Sequence, residues 1–422
     1  MLSSLWEFLA GRLKGDSLLV DALGASLLFS MISISLAQGF LAIALIAWIV
    51  LLVRGKRRFE VPLFFWALTV YAGLSLLSSA ASVNPRMSFW DSRDLLLLLA
   101  VPIVLAAVRR RADLLGLLAA LLGSAVVNGL YAVGYQILKA SPGERVKAFM
   151  SHYMTQAGIA ALFLSFALGI LFAGFIRRPG ETVRATEGQK IWPERIAWGA
   201  GLLLASAAIL LTLTRGAWIG VGAALVVVLF FWKPKALVVL PLLALLGFLA
   251  APRSIKDRAM SIFTLRDESN IARVQYFEAG MKIIADYPLL GTGPDTVDMV
   301  FQDPKYGLGI RAKHNVHLHS NLIQIAAERG VITLLAWLAF IGSAFGLLWK
   351  TWKAPGKNAE GGTLRRKTAL GALAALTAFF VAGFFEYNYG DSEIAQLLLI
   401  LLALPFAARR IENAATRSDE SA

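Results

Sequence analysis

The stretch 196–232, IAWGAGLLLASAAILLTLTRGAWIGVGAALVVVLFFW, carries one charged residue, Arg215. On either side lie the apolar runs 196–214 and 217–232, each near the roughly 20 residues an α-helix needs to cross a bilayer. So short a connection leaves no room for a domain between them, so they read as two antiparallel spanning helices with Arg215 at the turn. A helix is the natural form for such a run, because it closes its backbone hydrogen bonds inside a single apolar segment.

Composition extends the reading to the whole chain. Hydrophobic residues make up 58%, charged residues 16%, and the mean hydropathy is +0.66, far from an average soluble domain. Apolar runs recur at 18–36, 39–53, 61–82, 95–108, 114–138, 153–176, 196–214, 217–232, 236–251, 322–348, 369–385 and 394–408. The expected fold is therefore an all-α polytopic membrane protein of about twelve transmembrane helices, the first two forming one span each or a broken hairpin. Residues 1–251 would hold helices 1–9, residues 252–320 a large loop or cap with short helices, and residues 321–422 helices 10–12 and a cytoplasmic tail. Residues 1–16 lack the short apolar core and small-residue cleavage site of a secretory signal, so no cleavable signal peptide is expected.

Charge orients the bundle. Alternate loops, with both termini, carry 25 of the 41 Lys and Arg and 12 of the 27 acids; the opposite side carries the other 16 and 15. The basic side should face the cytoplasm. The net charge of +14 then reflects topology and gives no support for nucleic-acid binding. There is no cysteine, which excludes a disulfide framework, a thiolate nucleophile and a cysteine-ligated metal.

The outer side gathers four loops: 82–93, 139–152, 212–218 and 252–319. Arg215 must sit at or near membrane depth, held by Thr212, Thr214 or an anion. A guanidinium suits a phosphate, which it grips by paired charge-assisted hydrogen bonds; the alternative is an arginine snorkelling to water beside Trp218. In the long loop, Asp267–Asn270 should start a helix. Ile271, Val274, Phe277, Met281 and Ile284 repeat at helical spacing and should lay one apolar face on the bilayer surface or the bundle. Residues 288–295, PLLGTGPD, read as a turn whose glycines fit neither a Walker loop nor a dinucleotide fingerprint.

Three of the four histidines, His314, His317 and His319, fall where this loop meets the tenth run. Imidazole exchanges protons near neutral pH, and ionisable groups at membrane depth are costly and tend to mark sites. The alternatives are a hydrated loop end or a metal site; against the metal, no acidic residue lies close in sequence and the surrounding excess is cationic. Asn321 and Gln324 stand one turn apart, placed to orient His319, to bind sugar or to bond between helices.

The pattern His319-Ser320, nine residues, Gly330, then Thr333 resembles the signature of the O-antigen ligase family, as does Thr214-Arg215-Gly216 in a short outer connection. The motif resemblance covers about 211–220 and 286–333, and O-antigen polymerases and protein O-oligosaccharyltransferases share much of it. It implies a glycosyltransferase at the periplasmic face of a bacterial inner membrane, needing neither metal nor ATP. It would move O-antigen polysaccharide from undecaprenyl diphosphate to a sugar hydroxyl of lipid A-core among membrane lipids. On this reading no cofactor is expected. His319 would be the general base and Arg215 the main diphosphate clamp. Arg86, Arg273 and Arg311 are further cationic candidates, Arg93, Arg145, Arg266 and Lys313 weaker ones. His314 and His317 would bind acceptor sugar or phosphate or orient the loop, and direct attack would invert the anomeric carbon. A transporter or flippase is the rival from another class, but the polar residues cluster at one face, away from the midplane.

Overall fold

The computed structural model describes residues 17–139, 141, 144–176, 188–264, 267–306, 317–355 and 359–420. Among them there is no strand. Helices long and apolar enough to span a membrane run over Ile34–Val53, Arg111–Leu138, Tyr153–Ala173, Pro193–Leu211, Arg215–Trp232, Asn321–Lys353 and Ser392–Ala414, with shorter apolar helices at Ser17–Phe29, Phe64–Ala80 and Pro234–Ala250. The chain is an all-α, multi-pass membrane protein.

In chain order the elements are α1 (Ser17–Phe29), α2 (Ile34–Val53), α3 (Phe64–Ala80), α4 (Pro85–Asp91), α5 (Ala100–Ala107), α6 (Arg111–Leu138), α7 (Tyr153–Ala173), α8 (Gly188–Leu211), α9 (Arg215–Trp232), α10 (Leu240–Ala250), α11 (Arg253–Met260), α12 (Glu268–Asp286), α13 (Val297–Val300), α14 (Asn321–Lys353), α15 (Ala359–Ala382) and α16 (Ser392–Glu420). The hydrophobic core centres on α7, buried along nearly its whole length and packed by α8, α9, α15 and α16. At the end opposite the histidines, the buried Arg365 and Glu412 pair at 2.6 Å and tie α15 to α16. Truncating one partner of such a pair is costly, because it strands a buried charge.

Two expectations shift. The run 95–108 is not an uninterrupted spanning helix: a 3₁₀ segment, Ser92–Leu99, leads into the short α5. Residues 100–108 are all buried, because α5 packs inside the bundle, against α16 and α2, instead of facing lipid. In the cap, Asp267 caps α12 as its sequence suggests, accepting from Ser269 N at 3.1 Å. The helix, however, packs on α14 through Tyr276, Ala279, Gly280 and Ile283, while Ile271, Val274, Phe277 and Met281 stay exposed. Of the two surfaces open to the repeating apolar face, the bundle is thus taken by its neighbour face. A Cβ on Gly280 would lie 2.3 Å from Ile323 Cγ2, so the crossing needs glycine.

The turn at 288–293 has a definite task. Helix α14 breaks at Gly330, at φ 82° and ψ 163°, in a region that L side chains rarely adopt. The turn fills the break: Thr292 N and Gly293 N donate to Ala327 O and Glu328 O, and Val331 N donates to Pro288 O. Backbone groups that a continuous helix would pair internally find partners there, as burial requires. The first segment of α14 is so fixed with its N-terminus at the cap, where the histidines sit.

Candidate active site

His319 precedes α14 in the left-handed region, at φ 51°, a conformation that costs a non-glycine residue of order 1–3 kcal/mol and persists only where its surroundings enforce it. Three bonds do so here. Gln324 Oε1 accepts from Leu318 N at 2.6 Å, Asn321 N donates to Gly383 O at 2.7 Å, and Asn321 Nδ2 donates to Asn388 Oδ1 at 2.7 Å. Asn321 and Gln324 are each 1% exposed, and their contacts are those of residues that position the His319 turn.

His319 Nδ1 lies 3.1 Å from Glu386 Oε2, and His317 Nδ1 lies 3.9 Å from Glu386 Oε1. The two imidazoles meet edge to face at 4.6 Å between centroids, and the Tyr276 ring of α12 lies tilted 5.4 Å from His319. Burial alone would raise the Glu386 carboxyl, but the hydrogen bond to His319 and the charges of His319, His317 and Arg273 bring it below the usual value. Burial pushes His317 down, against the pull of Glu386. An ionised Glu386 can only accept, so it favours the His319 tautomer whose Nδ1–H donates to it and whose Nε2 keeps a lone pair. The fourth histidine, His152, joins the same field: burial lowers it, with Glu386, Arg145 and His319 all acting on it.

Next to this group stand four arginines. Arg215, 5% exposed, donates through one nitrogen to Ser261 O and Oγ at 2.8 Å, and through the other to Asp267 Oδ1 at 3.0 Å, Asn270 Oδ1 at 2.9 Å and Ser269 Oγ at 3.2 Å. Arg258 pairs with Asp267 Oδ2 at 3.6 Å. Arg273 donates to Phe385 O at 3.1 Å, one residue before Glu386, and to Ser269 Oγ at 2.8 Å. Arg145 donates to Thr212 O at 2.9 Å and lies 3.4 Å over the Tyr153 ring. Burial, then the guanidiniums of Arg258, Arg273 and Arg215, lower Arg145 to about 10 against the pull of Tyr153. Burial likewise lowers Arg258 and Arg273. The carboxylates in these interactions are Asp267 and Glu386, fewer than the guanidiniums, so the cluster is net positive and suited to an anion.

On the other side of His317 lies a cavity of about 170 Å³. Its lining includes Asp91, Asp94, Asp295, Asp391, Glu328 and Arg329. Arg329 donates to Glu328 Oε2 at 2.7 Å and Asp91 Oδ2 at 3.0 Å.

Among the predicted residues, the structure thus gathers His319, His317, Asn321 and Gln324 in one group, with Arg215 and Arg273 alongside. Arg86 is exposed on α4, and among the described residues no hydrogen bond or ion pair joins it to the arginine cluster. Arg311, Lys313, His314 and Arg266 lie outside the described residues. No acid lies close to the histidines in sequence, but one does in space: Glu386 arrives from 67 residues beyond His319. His317, His319 and Glu386 offer three ligand atoms within 4.8 Å of one another, so this is where a metal ion would be held. Sequence reasoning also missed His152, Arg258 and Asp391. The signal for Glu386 and Asp391 was a polar interruption, 386–393, between two apolar runs on the outer side.

Residues 200–338 match the family model for O-antigen ligase. An O-antigen ligase of Pseudomonas aeruginosa is 31% identical over 160 residues, covering 37% of this chain and 34% of that protein. The match therefore spans about a third of the relative's length. The family-model match, 200–338, takes in the Arg215 turn and the His319 motif through Thr333. Over 200–338, therefore, this multi-pass membrane chain is similar to the O-antigen ligase family.

Proposed function

We propose that this protein transfers an O-antigen polysaccharide from undecaprenyl diphosphate to a hydroxyl of lipid A-core, at the periplasmic face of a bacterial inner membrane, without metal or nucleotide. The observation that carries the reading is the His319–Glu386 pair at 3.1 Å next to the arginine cluster. His319 Nε2 takes the acceptor hydroxyl proton as its oxygen attacks the anomeric carbon. The bond from that carbon to the diphosphate oxygen breaks, the electron pair leaves with the diphosphate, and the carbon is inverted. Glu386 positions the imidazole and stabilises the imidazolium. Arg273 and Arg215 face the charge that grows on the leaving group, where preorganised donors lower a barrier most. Arg215 spends its donors on Asp267, Ser261 and Asn270, so diphosphate binding exchanges some of these contacts and couples donor arrival to the cap. The exposed stripe Ile271, Val274, Phe277 and Met281 lies on the bilayer and keeps the cap at lipid level.

The test is transfer in proteoliposomes holding purified protein, undecaprenyl-diphosphate glycan and lipid A-core, with His319→Ala alongside. Glycan on the core with the intact chain alone supports the reading. Growth of the lipid-linked glycan instead makes the protein a polymerase, and no product from folded protein removes the transferase reading.

A further inference from the structure

We propose that the acid-lined cavity beside His317 is the subsite for the acceptor's reacting sugar, and that it selects a neutral or amine-bearing ring over a phosphorylated one. This rests on the transfer reading above. The cavity has room for a sugar ring and opens on His317, whose ring is 4.6 Å from that of His319. A hydroxyl at its mouth is therefore next to the base.

Its polar atoms ask for a ligand. Arg329 is 6% exposed and lines the cavity, held by Glu328, Asp91 and the Tyr387 hydroxyl. Its Nε is buried without a hydrogen-bond partner, as is His317 Nδ1. Buried donors and acceptors left open are uncommon and point to a missing partner. Sugar hydroxyls both donate and accept, so one ring can serve Arg329 Nε and the carboxylates together.

Charge sets the selectivity. Arg329 engages Asp91 and Glu328 directly and acts only as the smaller influence on Asp94 and Asp295, whose pKa values stay raised, while Asp391 faces no arginine. A phosphate there would face like charges, whereas an ammonium or hydroxyl would meet acceptors. Burial brings Asp295 up to about 6 and Asp391 to about 7, so near neutral pH Asp391 also supplies a proton for a hydrogen bond. The arginine cluster lies across Glu386, so the two substrates are sorted by charge on opposite sides of one base.

The experiment is saturation-transfer NMR on the full chain in nanodiscs with no donor present. The probes are a methyl hexoside, the matching 2-amino-2-deoxyhexoside and a hexose 6-phosphate. The first two should bind and the phosphate should not. Asp295→Asn and Asp391→Asn should each weaken the amino sugar roughly tenfold or more, as loss of a charge-assisted bond does. They should also raise the acceptor KM in transfer while leaving the donor KM unchanged, and Glu278→Gln, exposed on α12 outside the cavity lining, should do neither. Preference for the phosphate, no sugar binding, or variants that raise the donor KM would overturn the subsite. Absence of sugar binding with transfer intact removes the subsite alone; sugar binding with no transfer removes the transfer reading alone.

Discussion

Glu386→Gln is the sharpest perturbation of the site, because it keeps the shape of the side chain and removes only the charge. With the carboxylate at 3.1 Å from Nδ1 and both side chains at 12–14% exposure, the bond is charge-assisted and shielded. Such a bond is worth about 1.5–3 kcal/mol, a factor of about 10 to 150 in rate at 1.36 kcal/mol per decade. The amide adds a second loss. Its NH2 can donate to Nδ1, which places the imidazole proton on Nε2 and disables the base, worth typically 10² to 10⁴. The variant should therefore lose at least about 10²-fold in kcat with little change in KM, and Glu386→Asp should fall between it and the parent. The assay is glycan transfer in proteoliposomes, read by gel shift of lipid A-core, across a pH series. If Glu386 acts through His319, the double variant with His319→Ala is no slower than His319→Ala alone. A Glu386→Gln protein that folds and transfers at the parent rate would refute the reasoning.

Gly280→Val should push α12 off α14, since its Cβ would start 2.3 Å from Ile323. Overpacking of this kind costs about 1–3 kcal/mol, to be read as a lower thermal midpoint in detergent and faster proteolysis of the cap. Chelators should leave transfer unchanged; loss of activity restored by Zn²⁺ would instead place a metal on His317, His319 and Glu386. The share of stability that His317 and Glu386 supply should fall on acidification, whereas the raised Asp295 and Asp391 act in the opposite sense. His317 is lowered from 6.5 and Glu386 from 4.5 in the folded protein, so the unfolded chain binds protons first and stability present above about 6.5 is lost in successive steps as pH drops. His317→Gln should flatten the first step in thermal melts between pH 7 and 5. Arg215→Lys should loosen the cap as well as slow transfer, because one ammonium cannot replace the five contacts of the guanidinium; limited proteolysis in the cap checks it.

Much of this protein was legible one residue at a time. Hydropathy is a local property, so runs such as 217–232 announce helices whatever they pack against, and the outer side follows from where Lys and Arg accumulate. The His319-Ser320 to Thr333 spacing marked the site, and Arg215 stood out because a charge between two apolar runs needs a reason. The same local logic failed at 95–108, where an apolar run turns out to be a broken, interior helix: burial in protein and burial in lipid look alike in sequence. It also failed to give Gly330 its task, since the turn that fills the break comes from 288–293.

What tertiary structure alone decided is which charges meet. Glu386 reaches His319 across 67 residues, Arg145, Arg215, Arg258 and Arg273 converge from the loops and cap around the Arg215 turn, and Asp91, Asp295 and Asp391 converge on one cavity. Electrostatic effects depend on separation and dielectric, and neither is written along the chain. The sequence by itself set the membrane fold, because this follows from local apolarity. The His319–Glu386 pair, the arginine cluster and the acid-lined cavity exist only once the helices have packed.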